Sequence, residues 1–368
     1  MAGSLVISVH DYRSRRKASV HFITSELAKR GRTRFFSIGL SRLSEHRGDT
    51  RADLASCANR VETIDGVECF LWRTAWHPFN IRRQALAPVE ETLFWFYRHL
   101  IPRIPKQWLS DADTVFIESG MAPVFIEDVR RLNPNARIVY LASDDLDVID
   151  CAETIKRRFR ANFDSIDTVR LPSRLLRQGM PHERNAYYIP HGIDRAIAER
   201  IYPDPYDNRR CGISMGSMLF DASFFTIAAE EFPDVDFHVI GAGKAADGLK
   251  APNIIIHAEM PFAETLPYVQ HAAFGIAPYL DRGTPRYLID TSLKLRQFGL
   301  FGIPAVCPEF ALGDQPGRCG YVPGDRASIR RAIQDALSHD EPIQPQMLAW
   351  HEVVDRIMTP DIYADTRL

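Results

Sequence analysis

Short apolar runs alternate along this chain with stretches in which apolar residues recur every third or fourth position. The runs "SLVISVH" (4–10), "RFFSIGL" (34–40), "DTVFIES" (113–119), "ARIVYLAS" (136–143) and "IDTVRLPS" (166–173) have the length and β-rich content of strands. Between them, "ASVHFITSELAKRG" (18–31) and "MAPVFIEDVRRLNP" (121–134) carry helical spacing and stop at Gly31 and at Asn133–Pro134. Strands this apolar, joined by helices, predict a parallel sheet covered on both faces.

After "YYIPHGID" the pattern breaks. "RAIAERIYPDPYDNRR" (195–210) is polar, holds two prolines and reads as an interdomain linker. A second alternating series follows: "CGISMGS" (211–217), "DFHVIGAG" (236–243), "NIIIHA" (253–258), "AFGIAPY" (273–279) and "IPAVCP" (303–308). The expected architecture is α/β, with two Rossmann-like domains at about 1–200 and 211–345 facing across a cleft, and a helix and tail at 346–368 packing back across the hinge. Ligands are expected outside the carboxyl ends of the strands.

Composition narrows the class. With 368 residues, 45% hydrophobic and 25% charged, the chain is long enough for two cored domains and too apolar to be disordered. A formal charge of -2 argues against nucleic acid as a partner and leaves only local patches. The six cysteines form no CxxC pair and no Cys/His cluster in the sequence, so neither a disulfide framework nor a metal site is expected, and a reducing compartment is. "MAGSLVISVH" runs straight into a strand, so no secretion leader is expected. No uncharged apolar run approaches the ~18 residues of a membrane-spanning helix.

Four stretches carry candidate chemistry. "VIGAGKAADG" (239–248) spaces its glycines as GxGxxxxG and lacks the later acidic residue of a dinucleotide fingerprint, so it reads as a glycine-rich βα turn whose amides can face a diphosphate. Asp145 and Asp147 have DxD spacing, as do 111–113 and 234–236, which suits either a divalent metal or helix N-caps. Asp144 follows a strand and is expected just before a helix, where it serves as N-cap or as catalytic base. Lys294, in the first turns of the helix within "TSLKLRQFGLFGIPAVCP" (291–308), is either a phosphate ligand or a solvated charge.

Taken in order and spacing, "HDYRSRRKASVHFIT", "FLWRTAWHPFNIRR", "FIESGMAPVFIE", "VYLASDDL", "HGID", "GSMLFD", "FHVIGAG", "FGIAPY" and "SLKLRQFGLFGIPAVCP" resemble the GumK family of bacterial glucuronosyltransferases nearly from end to end. The resemblance implies a GT-B fold and an inverting transfer of glucuronate, without a bound metal or other cofactor. The donor is UDP-glucuronate and the acceptor a polyprenyl-diphosphate-linked oligosaccharide of exopolysaccharide synthesis, with a β-1,2 bond to terminal mannose. It implies Asp144 as catalytic base, and Met218, Glu259, Tyr279, Leu293, Lys294 and Gln297 around the nucleotide, with Asp194 and Asp221 lining the cleft. Leu293 stands where the family has a methionine, while Leu141 and Asp145 replace an arginine and a glycine beside the aspartate.

The local basic patch fits the same picture. Arg13, Arg15, Arg16, Lys17, Arg82 and Arg83, with Arg98, Arg103 and Lys106, are interleaved with Phe94, Trp95, Phe96 and Trp108, as on a surface that rests on anionic headgroups. The alternative is that the aromatics are core and the charges solvated. The implied location is the cytoplasmic face of the bacterial inner membrane, peripherally attached. Two other readings stay open: a sugar-nucleotide epimerase or hydrolase of similar architecture, and a non-catalytic UDP-sugar-binding component.

Overall fold

The computed structural model describes residues 3–14, 17–281, 285–313, 315–343 and 347–368. The chain forms two compact units, one from 1–192 together with 350–368 and the other from 193–349.

The first unit contains strands β1 (Ser4–Ser8), β2 (Thr33–Ser41), β3 (Val61–Ile64), β4 (Val67–Thr74), β5 (Thr114–Glu118), β6 (Arg137–Leu141), β7 (Thr168–Leu171) and β8 (Ala186–Tyr188). Their order in the sheet is β3-β4-β2-β1-β5-β6-β7-β8, with every described pairing parallel except the β3–β4 hairpin. The chain thus builds outward from β1 on one side and, beginning with β5, on the other. β3, β4 and β8 were not among the predicted strands. β3 is an edge strand exposed on both faces, and β4, though mostly buried, carries Glu68 and Arg73 among its apolar residues.

Helices of this unit are α1 (Ser19–Ala28), α2 (Arg42–His46), α3 (Ala87–His99), α4 (Arg103–Asp111), α5 (Ile126–Leu132) and α6 (Glu153–Ala161). α1 has no serine or aspartate cap. His21 supplies one instead: its Nδ1 accepts from the Ala18 amide at 2.8 Å while Nε2 donates to the Asp11 carbonyl at 2.8 Å. Burial lowers the pKa of His21 to about 4, which keeps the ring neutral and able to serve both roles.

The second unit is a six-stranded parallel sheet in the order β11-β10-β9-β12-β13-β14. Its strands are β9 (Cys211–Met215), β10 (Asp236–Ile240), β11 (Ile254–His257), β12 (Phe274–Ile276), β13 (Ala305–Pro308) and β14 (Arg318–Tyr321). Its helices are α7 (Ala222–Glu231), α8 (Phe262–His271), α9 (Arg286–Asp290), α10 (Leu293–Leu300) and α11 (Arg326–Leu337). All five predicted strands form, and four-residue β14 is the addition. The prolines of the supposed linker do not make it independent. The Tyr202 amide donates to Gln270 Oε1 at 2.7 Å and the Tyr206 hydroxyl to the Tyr268 carbonyl at 2.6 Å, so 195–210 packs with the second unit.

The chain then returns to the first unit as α12 (Trp350–Met358), where Trp350 stacks on Phe22 of α1 with ring centroids 4.9 Å apart.

Candidate active site

In the first unit the carboxyl ends of β1, β5 and β6 bring together groups far apart in sequence. Glu118, the last residue of β5, is 1% exposed. Its Oε2 accepts from Ser8 Oγ of β1 and its Oε1 from Ser143 Oγ, 3.0 Å away, just past β6. Burial raises the pKa of this carboxyl; Asp144 adds to that effect, while His10 and the two serines oppose it. The Asp144 amide donates to Ser119 Oγ at 2.9 Å.

No helix starts at Asp144, contrary to expectation. Residues 146–150 form turns and α6 begins only at Glu153. The cause is Asp145, whose side chain accepts from the Asp147 amide at 2.9 Å and whose carbonyl accepts from the amides of Val148 and Ile149, closing the chain into a local turn. Asp144 is therefore not the N-cap of a helix, and sits half-buried at the sheet's carboxyl edge.

Each of the three DxD pairs has one member in an ion pair. Asp147 is paired with Arg160 at 2.7 Å and with Lys156 at 3.5 Å, Asp111 is paired with Arg34, and Asp236 with Arg209 at 3.0 Å. Space does create one group that spacing did not suggest. Cys211 lies opposite Asp236, and with His238 these form the one potential metal-ligand set among the described residues. Its members already have protein partners: Cys211 Sγ donates to the Arg209 carbonyl at 3.4 Å, and His238 Nδ1 lies 2.9 Å from His257 Nε2. Cys211 and Asp236 open their strands, so this set stands at the end of the sheet opposite the loops described next.

In the second unit four loops gather at the carboxyl ends of β9 to β12. Gly216 follows β9 and Gly241 follows β10, both with positive φ, and a Cβ at Gly241 would lie 3.5 Å from Glu259 Cα. The glycine-rich turn and Glu259 are thereby neighbours, with Gly243–Ala246 forming a 3-10 turn. Residues 219–221 pair with 278–280: Phe220 bridges to Tyr279, the Asp221 amide donates to the Pro278 carbonyl at 2.8 Å, and the Leu280 amide to the Leu219 carbonyl at 2.8 Å. This leaves Met218 50% exposed at the edge. Asp221 accepts from the Ser223 amide at 3.0 Å and is the N-cap of α7. Exposed Asp194 likewise caps a 3-10 turn through the Ala196 amide at 3.1 Å.

α10 follows directly on this edge. Ser292 is its N-cap, accepting from the Leu295 amide at 3.3 Å and bonded to the Tyr279 hydroxyl at 2.6 Å. Tyr279 is 1% exposed, so in this conformation it cannot offer a face for a base to stack on; it anchors the start of α10 instead. Lys294 Nζ stands 5.5 Å from the centroid of that ring. Burial lowers its pKa to about 7. One turn on, Gln297 is 7% exposed and its Nε2 has no hydrogen-bond partner among the described residues. The buried, unpartnered donor thus lies one turn from Lys294 at a helix start, an arrangement suited to an anion. Leu293 is exposed at the same helix start.

A family model described as "Glucuronosyltransferase GumK, N-terminal domain" matches residues 6–172. A protein of Xanthomonas campestris pv. campestris described as "UDP-glucuronate:glycolipid 2-beta-glucuronosyltransferase" is 43% identical over 364 residues, which is 99% of this chain and 91% of the relative. The chain belongs to the GumK glucuronosyltransferase family. Its fold is the two-domain GT-B fold. A solved structure described as "Trehalose-6-phosphate from E. coli bound with UDP-2-fluoro glucose" matches with a TM-score of 0.62 at 12% identity, covering 98% of this chain and 96% of that one. A trehalose 6-phosphate synthase from Burkholderia multivorans matches at 0.61 and 12% identity, covering 98% and 93%.

The basic patch of this GumK-family chain divides unevenly. Arg13 is buried between Asp11 and Glu62, each at 2.7 Å, and so is committed to the fold of its own loop. Lys17 donates to the Tyr12 carbonyl at 2.6 Å and Arg82 is paired with Asp150, while Arg83 is exposed. Arg15 and Arg16 lie outside the described residues. Arg98 is buried against Asp128 and Glu127, and Phe94 and Trp108 are core. Trp95 and Phe96, by contrast, are nearly half exposed on α3, close in sequence to exposed Val89, Leu100 and Ile104. No helix of the described residues is long and apolar enough to cross a membrane.

Glu118 is the group that sequence reading missed. It stood in view at the end of "DTVFIES", and an acid closing an apolar strand was the available signal.

Proposed function

We propose that this protein transfers glucuronate from UDP-glucuronate to a hydroxyl of a lipid-linked oligosaccharide, with inversion at the anomeric carbon. The second unit holds the donor. Lys294, Gln297 Nε2 and the turn amides after β10 take the diphosphate, with Glu259, Met218 and Leu293 around the nucleoside. Asp144 of the first unit is the base. As the acceptor oxygen bonds to the anomeric carbon, its proton passes to the Asp144 carboxylate, the bond from that carbon to UDP breaks, and UDP departs with the electron pair. The leaving charge is met by Lys294 and the amides. The observation that carries this reading is Lys294, set over the Tyr279 ring at the start of α10, one turn from the buried and unpartnered amide of Gln297.

The relative's name specifies a glycolipid acceptor. Exposed Trp95, Phe96, Leu100 and Ile104, with Arg83, Arg103 and Lys106 close in sequence, support attachment to an anionic membrane surface, and we assign that surface to the cytoplasmic face of the inner membrane.

A donor panel tests the reading: UDP-glucuronate, UDP-glucose, UDP-galacturonate and UDP-N-acetylglucosamine with a mannose-terminated lipid acceptor. UDP-glucuronate is expected to lead. Asp144→Asn is expected to lower turnover at least ~10²-fold with UDP affinity unchanged. Preference for UDP-glucose refutes the donor assignment, and full turnover by the variant refutes the base.

A further inference from the structure

The first unit contains a cavity of about 640 Å³ whose position follows from the topology. The strand order reverses between β1 and β5, and in open parallel sheets ligands bind in the crevice at such a switch point. Val9, just past β1, and Gly120, just past β5, both line this cavity. Gly39 and Gly120 have φ of 73 and 95 and give it a backbone wall without side chains. Another wall is 149–152, the continuation of the loop that carries Asp144, and Gly120 adjoins the Ser119 that holds the Asp144 amide.

A second cavity of about 280 Å³ adjoins the first. The two share Ser44, Arg47, Asp49, His77 and Phe79, so these residues stand where one lobe opens into the other. We infer that this two-lobed groove is the acceptor glycan subsite, with the sugar that receives the transfer in the large lobe, whose 149–152 wall continues the loop of Asp144, and the next sugar of the chain in the small lobe. The inference rests on the transferase reading above and adds what it leaves open: that the enzyme reads at least two consecutive sugars, and with which residues.

The inventory of polar groups selects uncharged sugars over the diphosphate of the carrier. Arg51 is spent on the carbonyls of Val9, Ile38 and Gly39 and on Asp49, and Arg82 on Asp150. Of the lining cations only Arg47 is exposed without a side-chain partner among the described residues, too little for a diphosphate. What remains suits hydroxyls and a sugar face. Phe79 is 51% exposed, an aromatic platform held at a cavity mouth. His77 accepts or donates at Nδ1 to Ser41 Oγ at 2.9 Å, while Nε2 has no partner among the described residues. Burial lowers the pKa of His77, so the neutral ring can give or take a hydrogen bond.

Two lipid diphosphate acceptors sharing a terminal mannose test this, one bearing that sugar alone and one a mannose-terminated trisaccharide. The wild-type chain is expected to favour the trisaccharide about tenfold in kcat/KM. Phe79→Ala and Arg47→Met are expected to lose that preference through a higher KM for the trisaccharide, with UDP affinity by calorimetry unchanged because the nucleotide groups are on the other unit. Melting temperatures check that both variants fold. Equal kcat/KM for the two acceptors in the wild type, or a preference retained in both variants, overturns the two-sugar groove while leaving the transferase reading standing. Absence of transfer to either acceptor overturns the transferase reading, and the groove with it.

Discussion

If Lys294 binds the diphosphate, donor affinity must depend on pH where an ordinary lysine would not titrate. Burial brings its pKa to about 7 from the model-peptide value of 10.5. About nine-tenths of the free protein then carries the ammonium at pH 6 and about one-tenth at pH 8. When only the charged form makes the contact, apparent affinity scales with that fraction, so UDP-glucuronate should bind about tenfold more weakly at pH 8 than at pH 6, or ~1.4 kcal/mol. UDP-glucuronate is the titrant of choice, since its diphosphate lacks the terminal ionisation near 6 that UDP shares with phosphate monoesters. Calorimetry at pH 7 in two buffers of different ionisation enthalpy should show proton uptake of about one half per donor bound. Lys294→Arg keeps a permanent charge and should bind without proton uptake, whereas Lys294→Ala should lose one to two orders of magnitude in affinity, the ~1.5 to 3 kcal/mol of a hydrogen bond to a charged group. Donor binding that is flat from pH 6 to 8, or an alanine variant that binds like the parent, refutes the assignment. The linkage to folding has a defined sign. Between pH 7 and 10.5 the unfolded chain holds a proton that the folded lysine has lost, so this group makes stability rise with pH across that window.

Glu118→Gln should act in the opposite direction on stability. Its carboxyl pKa is raised, so the wild type loses stability as pH climbs through that value, and the melting temperature of the variant relative to wild type should increase from acid to pH 8; a difference flat with pH would show that Glu118 does not titrate in the fold. Gly275→Ala should cost about 1–3 kcal/mol by denaturant unfolding, because a Cβ on β12 would overlap the ring of Phe298 on α10. UDP affinity should fall with it as α10 is displaced, and unchanged affinity would separate the helix from the nucleotide. Trp95→Ser with Phe96→Ser should reduce cosedimentation with anionic vesicles, and salt should weaken the wild-type interaction; equal binding to neutral vesicles would remove the electrostatic part of the claim.

Period and punctuation made ten of the parallel strands legible, since unbroken apolar runs such as 115–117 read as strands of a doubly covered sheet. They were silent on β3, an exposed edge strand, on β4, where Glu68 and Arg73 interrupt the apolar residues, and on the short β8 and β14. The expected helix after Asp144 failed for a local reason: an aspartate side chain that captures an amide two residues on competes with helix initiation, and "DDLDVID" offers that chance repeatedly. Glu118 illustrates a different limit. Its partners Ser8 and Ser143 lie 110 and 25 residues away, and only the strand order β1-β5-β6 makes them neighbours. The aromatic stretch at 94–108 split by burial, which composition could not assign residue by residue: Phe94 and Trp108 are core while Trp95 and Phe96 are not.

Tyr279 shows how a residue expected at the nucleotide can act on the proposed site while fully buried. Fully buried, it bonds Ser292, which caps α10, and it lies under the Lys294 ammonium. The same helix is pressed from below by β12, where Gly275 leaves no clearance beneath Phe298. α10 is thus fixed at its start by a hydrogen bond and in its middle by close packing, and the two side chains proposed to hold the diphosphate, Lys294 and Gln297, fall between those fixed points. A lysine so held loses much of its solvation before the donor arrives, which is the physical origin of its lowered pKa. The packing that positions the cation also makes binding pH-dependent: loosening α10, by Gly275→Ala or by removing the Tyr279 hydroxyl, should raise the lysine pKa and flatten the pH dependence of donor binding between 6 and 8, while the displaced helix weakens the contact itself.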